Sequence, residues 1–312
     1  MSKSISIETV FVVPSYEDNA VEQLIKDIKS EYHSGIYVVV VDDGSIKDRM
    51  NQQWLQAAGV DGCVVRLEKN VGHQAAIAVG LNYAIDNLAW EHLIVMDSDG
   101  EDTPVSSRQL LASLDSENVD IAVACRRSRV ESFKFKAFYQ IYKFVFFLLV
   151  GRTIRFGNFM AMRPSAAKRL VASPDIWQHL AACALNSNLR LYECSIDRGR
   201  RYSGESKMNF VSLVLHGFKG ITVFFNQVLV RISIFCIVCA AIAVVGMIII
   251  SVLKVVGLAS PGWFSTLSGI LVLILFQVLI VGLISMLIAG SKRVALVNEV
   301  DYRKLIRAID NG

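Results

Sequence analysis

From Ile232 to Gly290 the chain runs for 59 residues with a single charge, Lys254. Two uncharged stretches lie inside this window, Ile232–Leu253 with 22 residues and Phe264–Gly290 with 27. Each exceeds the roughly 20 residues a helix needs to cross a hydrocarbon layer about 30 Å thick. Gly257, Pro261 and Gly262 between them leave room for a turn and nothing larger. The pattern predicts a hairpin of two membrane-spanning helices. Very apolar buried core helices are the competing reading, and two adjacent, uninterrupted runs speak against it.

Outside this window the charged fraction returns close to the roughly 25% of ordinary soluble domains. The chain therefore combines a soluble body with an apolar tail, which excludes a wholly water-soluble protein, a disordered chain and a disulfide-stapled miniprotein. Lys219 and Arg231 precede the first apolar run, and Lys292, Arg293, Arg303, Lys304 and Arg307 follow the second. By the positive-inside rule both termini and the soluble body are expected in the cytoplasm, on a multi-pass protein of the cell membrane. The first apolar run, Val10–Val13, is too short for a secretory signal. The net charge of +4 comes without a basic stripe, so no nucleic-acid partner is expected. The six cysteines lack metal-ligand spacing in the soluble part and read as small buried hydrophobes.

The soluble body alternates. Apolar, β-branched runs at Thr9–Val13, Ile36–Val41, Cys63–Leu67, His92–Met96 and Ile121–Ala124 predict strands buried on both faces. Helical spacing fills Asn19–Ser30, Gln52–Ala58, Gln74–Asn87 and Val105–Leu114. This is an α/β class, a mainly parallel sheet with helices on both sides. The expected organisation is a soluble domain over 1–207, a juxtamembrane amphipathic segment over 208–230, two transmembrane helices over 231–291 and a cytoplasmic tail over 292–312. Phe133–Val150 interleaves lysines with aromatics as an interfacial helix would.

Polar residues cluster where strands stop. Ser15–Glu17 follow the first strand, Asp42-Asp43-Gly44-Ser45 the second, and Asp97-Ser98-Asp99 the strand at His92–Met96. In an open parallel sheet these ends share one edge, where ligands bind. Asp97 and Asp99 flank one small residue, a spacing that lets two carboxylates engage one hard divalent cation. A solvated acidic turn is the alternative. No glycine-rich dinucleotide fingerprint or P-loop follows any strand.

Several segments together resemble one family. They are Val12-Val13-Pro14-Ser15-Tyr16-Glu17, Val41-Asp42-Asp43-Gly44-Ser45, Asn70-Val71-Gly72-His73-Gln74-Ala75-Ala76, Met96-Asp97-Ser98-Asp99 with Pro104, Arg126, and Arg201-Tyr202-Ser203-Gly204-Glu205-Ser206-Lys207. On these the chain resembles the family-2 inverting glycosyltransferases of the GT-A (Rossmann-like) fold. Within them it is similar to the polyprenyl-phosphate group, that of dolichol-phosphate mannose synthase and the bactoprenol glucosyltransferases. The resemblance implies transfer of a sugar from a nucleotide-sugar donor to a polyprenyl phosphate lipid acceptor, with Mg²⁺ or Mn²⁺ as cofactor. It implies that Pro14, Tyr16, Glu17 and Asp43 line the nucleotide pocket and that Gly72 and His73 approach the ribose or diphosphate. Asp97 and Asp99 would face the diphosphate and its metal, with Glu101 where relatives often carry glutamine. Asn158 stands where they often carry an acid, and Glu17-Asp18 where they have Asn-Glu. It also implies a homo-oligomer built on the membrane-side helices.

A lipid phosphate is already an anionic nucleophile, so the reaction needs positioning and charge neutralisation more than a general base. Arg126, Arg129, Arg201, Ser206 and Lys207 are the candidates for the acceptor phosphate, since arginine forks suit phosphate oxygens and lysine supplies a point charge. Asp99, Arg126, Arg201 and Lys207 are the candidates for catalysis. A processive polysaccharide synthase is disfavoured, because no QxxRW motif is present and two spans are few for a polymer channel. A non-catalytic tethered nucleotide-binding module is disfavoured by the joint presence of Asp97, Asp99, Arg201 and Lys207.

Overall fold

The computed structural model describes residues 7–47, 50–126, 133–197, 199–202, 210–258, 262–291 and 301–312. The strands of the soluble body are β1 (Ile7–Ser15), β2 (Ile36–Asp42), β3 (Asp61–Leu67), β4 (Trp90–Val95), β5 (Ile121–Arg126), β6 (Met160–Met162), β7 (Leu191–Ile196) and β8 (Ile306–Asn311). They form one sheet in the order β7-β5-β6-β4-β1-β2-β3-β8. Its centre, β4-β1-β2-β3, is parallel, while β6 and β8 run antiparallel to their neighbours. This is a GT-A-like mixed α/β sheet. The expected parallel strands are all present, extended by a residue or more at one or both ends.

Alternation along the strands explains the layers. Val10 and Val12 of β1 and Val39 and Val41 of β2 face one core, which α3 (His73–Asn87), α6 (Pro164–Val171) and α7 (Leu180–Asn186) close. Phe11, Val13, Val38 and Val40 face the other, closed by α1 (Ala20–Tyr32), α2 (Gln53–Ala58) and α4 (Pro104–Ser116). With both faces covered, the central stretches Val10–Val13 and Val38–Val41 are wholly apolar. Helix α3 lies close on the sheet at Gly80, where a Cβ would come within 2.5 Å of Val12 Cγ1 and 2.9 Å of Val41 Cγ2.

Two features fall outside the sequence expectation. The soluble unit comprises residues 1–140, 154–223 and 300–312, so it includes α8 (Phe210–Val223) and the end of the chain. The segment 292–312, expected as a tail, returns to the sheet: β8 pairs antiparallel with β3, from Cys63 opposite Asn311 to Leu67 opposite Ile306. Ahead of it a 3-10 turn, Tyr302–Leu305, seats the buried Tyr302 with its hydroxyl donating to Asp86 Oδ2 of α3 (2.8 Å). The antiparallel edge was missed because Ile306–Asn311 is short and half charged or polar, as an edge strand is.

The second unit comprises residues 141–153 and 224–299. It holds α9 (Phe225–Val255) and α10 (Trp263–Ser291), each long and apolar enough to cross a membrane. Helix α9 begins seven residues before the uncharged run and takes Arg231 into its first turns. There the guanidinium donates to the Leu148 carbonyl at the end of α5 (Phe133–Val150) (3.3 Å), and Phe146 meets Phe224 edge-on. At the other end Lys254 Nζ stands 3.9 Å from the centre of the Phe264 ring, which gives the lone charge of the window a cation–π partner. Ile234, Phe235, Ile237 and many other large apolar side chains of this pair are exposed, the composition of a lipid-facing surface.

The tight seat of α3 carries a direct expectation. Gly80→Ala forces a methyl group against two β-branched side chains and should cost about 1–3 kcal/mol of stability. Thermal unfolding of the purified full chain, compared with wild type, measures it.

Candidate active site

β1 stands between β2 and β4, so the strand order reverses there, and ligands bind at such switch points beyond the carboxyl ends of the strands. The C-terminal ends of β1, β2 and β4 carry Ser15–Glu17, Asp42–Ser45 and Asp97–Asp99, as the sequence predicts. Tyr16 is exposed at this edge. Glu17 adopts a left-handed conformation (φ 46°), and its carboxylate accepts the N–H groups of Ile46 (2.7 Å) and Lys47 (3.1 Å). Its own N–H donates to Ser45 Oγ (2.9 Å). The loop after β2 is thereby folded onto the loop after β1.

Asp43 is buried and takes both its hydrogen bonds from backbone: Val71 N–H to Oδ1 (2.7 Å) and Gly72 N–H to Oδ2 (2.9 Å). Burial raises its pKa, against the lowering effect of those two bonds and of His73, while neighbouring Asp42 adds to the rise. Gly44 follows at φ 73°, with the place of a Cβ only 2.5 Å from the Lys69 carbonyl carbon. Only glycine fits there. Asp43 is therefore first a brace, joining the β2 loop to the loop that leads into α3, with its remaining lone pairs directed by that bracing.

His73 opens α3, and its Nε2 lies 3.2 Å from Asp97 Oδ1 and 3.2 Å from Asn158 Nδ2. Burial disfavours the imidazolium, but Asp97, by charge and hydrogen bond, and more distantly Asp43 and Asp102 outweigh it, and the pKa is raised. The Asp97 N–H donates to Asp102 Oδ2 (3.1 Å), a buried carboxylate that sequence reading passed over among four acids in six residues. Ser98 Oγ donates to Asp18 Oδ2 (2.8 Å). Thr103 then caps α4, accepting from the Ser106 N–H (3.2 Å), with Pro104 at the first helical position.

Asp99 and Glu101 are brought together by one cation. Arg201 Nη2 stands 2.9 Å from Asp99 Oδ2, and its Nε donates to Glu101 Oε1 (3.0 Å). Backbone bonds lay the arginine's segment along the acidic loop: Gly199 N–H to the Glu101 carbonyl (2.9 Å) and Tyr202 N–H to the Asp99 carbonyl (3.0 Å). Gly100, at φ 85°, makes room for the Tyr202 ring, which a Cβ would meet at 2.5 Å. The Tyr202 hydroxyl donates to Asp27 Oδ2 (2.5 Å). Nothing in the residue pattern announces these pairings, because the partners lie about a hundred positions apart.

The structure thus gathers Pro14, Tyr16, Glu17, Asp43, Gly72, His73, Asp97, Asp99, Glu101 and Arg201 around one sheet edge. Arg126 closes β5 opposite Ile196 of β7. Its side chain lies outside the described residues, as do Arg129, Ser206 and Lys207. Among the described residues no group of three His, Cys, Asp or Glu side chains is arranged to hold a metal ion. Asp99 and Glu101, already sharing one cation, suit a hard divalent ion of the kind that takes one or two carboxylates and completes its shell with substrate phosphate and water. Asp97 is turned to His73.

Comparison with known proteins agrees with this architecture. The chain is 25% identical over 300 residues to an uncharacterized glycosyltransferase of Synechocystis, covering 89% of each chain. It is 26% identical over 290 residues to the uncharacterized glycosyltransferase YkcC of Bacillus subtilis, covering 86% of each. In fold it is similar to glucosyl-3-phosphoglycerate synthase from Mycobacterium tuberculosis, solved with Mn²⁺, UDP-glucose and phosphoglyceric acid. That match has a TM-score of 0.53 at 13% identity and covers 71% of this chain and 79% of that one. Residues 10–174, from the middle of β1 to the turn after α6, match the family described as glycosyl transferase family 2, and the chain belongs to that family.

Proposed function

We propose that this family-2 glycosyltransferase moves a sugar, with inversion, from a nucleotide-diphosphate sugar to a polyprenyl phosphate at the cytoplasmic face of the cell membrane. The observation that carries the proposal is the convergence of Asp43, Asp99 and Arg201 at one sheet edge in a chain that continues into two apolar helices. In the reaction an acceptor phosphate oxygen forms the new bond to the anomeric carbon. The bond from that carbon to the diphosphate breaks, and the nucleoside diphosphate leaves with the electron pair.

This chain's residues have distinct parts in that scheme. Tyr16 and the braced Asp43 loop form the wall for the base. The first turn of α3, which follows Gly72, directs its backbone N–H groups toward the diphosphate, where a helix N-terminus favours negative charge. Asp99 and Glu101 would hold Mg²⁺ or Mn²⁺, which supplies charge neutralisation for the leaving diphosphate when bound. Arg201, resting on those two carboxylates, has a guanidinium fork suited to a phosphate at the same place. That location puts it beside the donor carboxylates, so its service to the acceptor phosphate is at the meeting point of the two phosphate groups. The acceptor assignment is supported by the apolar pair α9–α10 and by exposed Leu215 and Phe218 on α8, an apolar surface fit for lipid.

Connectivity supports the topology. The chain leaves the soluble unit before α9 and rejoins its sheet as β8 after α10, which fits an even number of crossings. The basic flanks then place both ends on the cytoplasmic side.

Incubation of the purified protein with polyprenyl phosphate and a panel of nucleotide sugars, with glycolipids identified by mass spectrometry, tests the activity. Asp99→Asn is expected to abolish product while leaving the melting temperature near wild type, and chelation of divalent ions should stop wild-type transfer until Mg²⁺ or Mn²⁺ is restored. Wild-type turnover by Asp99→Asn at limiting metal would sink the assignment. Arg201→Ala should slow transfer on the order of ten- to a hundredfold, the worth of one charge-assisted hydrogen bond. For topology, a cysteine replacing Leu258 in a cysteine-free background should react with an impermeant reagent outside intact cells, and one replacing Lys29 should not. The reverse labelling would overturn the orientation.

A further inference from the structure

Arg66, near the end of β3, holds three groups with one guanidinium. Nε donates to Asp310 Oδ2 of β8 (2.5 Å), Nη1 to Asp42 Oδ2 of β2 (3.2 Å) and Nη2 to the Met50 carbonyl (2.6 Å). The register makes this a cross-strand set: Arg66 lies directly opposite Asp42 on one side and diagonally from Asp310 on the other. Asp42 is 3% exposed, so it is a buried carboxylate whose charge this arginine must meet.

From Asp42 the contacts lead into the donor side of the site. Its Oδ1 accepts the Ser45 N–H (3.0 Å), Ser45 Oγ accepts the Glu17 N–H, and Glu17 holds Ile46 and Lys47. Met50 lies farther along the connection between β2 and α2, so Arg66 meets the end of β2 and a second point on that connection. Asp43 and Gly44 lie between those two points. On the far side Arg66 has Asp310, five residues after Leu305, which with Ile306 packs partly buried against the core.

We propose that Asp310, acting through Arg66, is a positioning residue for the donor pocket, so that the strand following the apolar hairpin completes a site otherwise built from the first half of the chain. The reason is geometric. A guanidinium presents its donors in a fixed plane, and three partners on three sides fix that plane. With Asp310 neutralised, Arg66 keeps Asp42 but loses the anchor that sets its tilt, and the Asp42–Met50 loop loosens with it. The inference rests on the reading above that the Asp43 edge takes the nucleotide.

The test uses the full chain in detergent micelles and the variants Asp310→Asn and Asp310→Glu. Amide hydrogen exchange is read at Ser45, Ile46, Lys47, Val71 and Gly72, with Val12 and Ile94 of the sheet centre as internal references. Asp310→Asn should speed exchange of the five loop amides about tenfold, with the references unchanged, and raise the donor KM about tenfold at constant kcat and constant acceptor KM. Asp310→Glu should restore most of both. Wild-type exchange in Asp310→Asn, or a loss of protection shared by the references, would overturn the proposal. So would faster loop exchange with an unchanged donor KM. Absence of transfer from any nucleotide sugar by the wild type would instead overturn the function proposed above, and the exchange rates would still decide whether Asp310 positions the loop.

Discussion

The arrangement depends on β1, β2 and β4 being buried on both faces toward their carboxyl ends. A strand covered on two sides has no position for a polar side chain along its length, and polar chemistry begins only where it stops. Because the three strands are parallel, they stop on the same side of the molecule, at the switch in strand order. Pro14–Glu17, Asp42–Ser45 and Asp97–Asp99 meet there for the same reason that Val10–Val13 and Val38–Val41 are apolar. The site is the complement of the core.

Collecting carboxylates in one place has a cost, which the fold offsets in two ways. Asp43 and Asp102 accept backbone N–H groups, so their charge is spread over peptide dipoles that are fixed before any ligand arrives. Asp42, Asp97, Asp99 and Glu101 are set against side-chain partners: Arg66, His73, whose pKa Asp97 helps to raise, and, for the last two together, Arg201. The two solutions differ in what they permit. A carboxylate bound by backbone is a structural brace, and removing it leaves unsatisfied peptide groups. Asp99 combines the two: its Oδ1 accepts the Glu101 N–H (3.0 Å) while its Oδ2 meets Arg201 (2.9 Å), so one oxygen fixes the loop and the other faces a side chain.

The sequence made legible whatever depends on periodicity and on chain-local chemistry. The doubly buried strands, helices α1 to α4, the apolar hairpin and the acids at strand ends all follow from spacing. Missed were features set by partners far along the chain. Strand β6 is apolar but only three residues long, and β7 and β8 are half-exposed and mix polar with apolar residues, so none gives a long apolar run. The Arg201 fork on Asp99 and Glu101, the His73–Asp97 pair and the Asp310–Arg66–Asp42 set join residues separated by 24 to 244 positions. Asp97, Asp99 and Arg201 read in the sequence as ligand contacts, and only the fold reveals that they are also partners of protein side chains.

The return of the chain as β8 joins these points. Bringing residue 310 to residue 66 closes a very long loop, but closure entropy grows only logarithmically with length, so the distance itself is a modest penalty. What then selects the register is side-chain alternation. With Ile306, Ala308 and Asp310 turned inward and Arg307, Ile309 and Asn311 outward, the strand places one carboxylate where Arg66 needs it. A slip of one residue would present Arg307 and Asn311 to the core side and set two arginines against each other. In the observed register one guanidinium thus ties the edge strand to the end of β2 at Asp42.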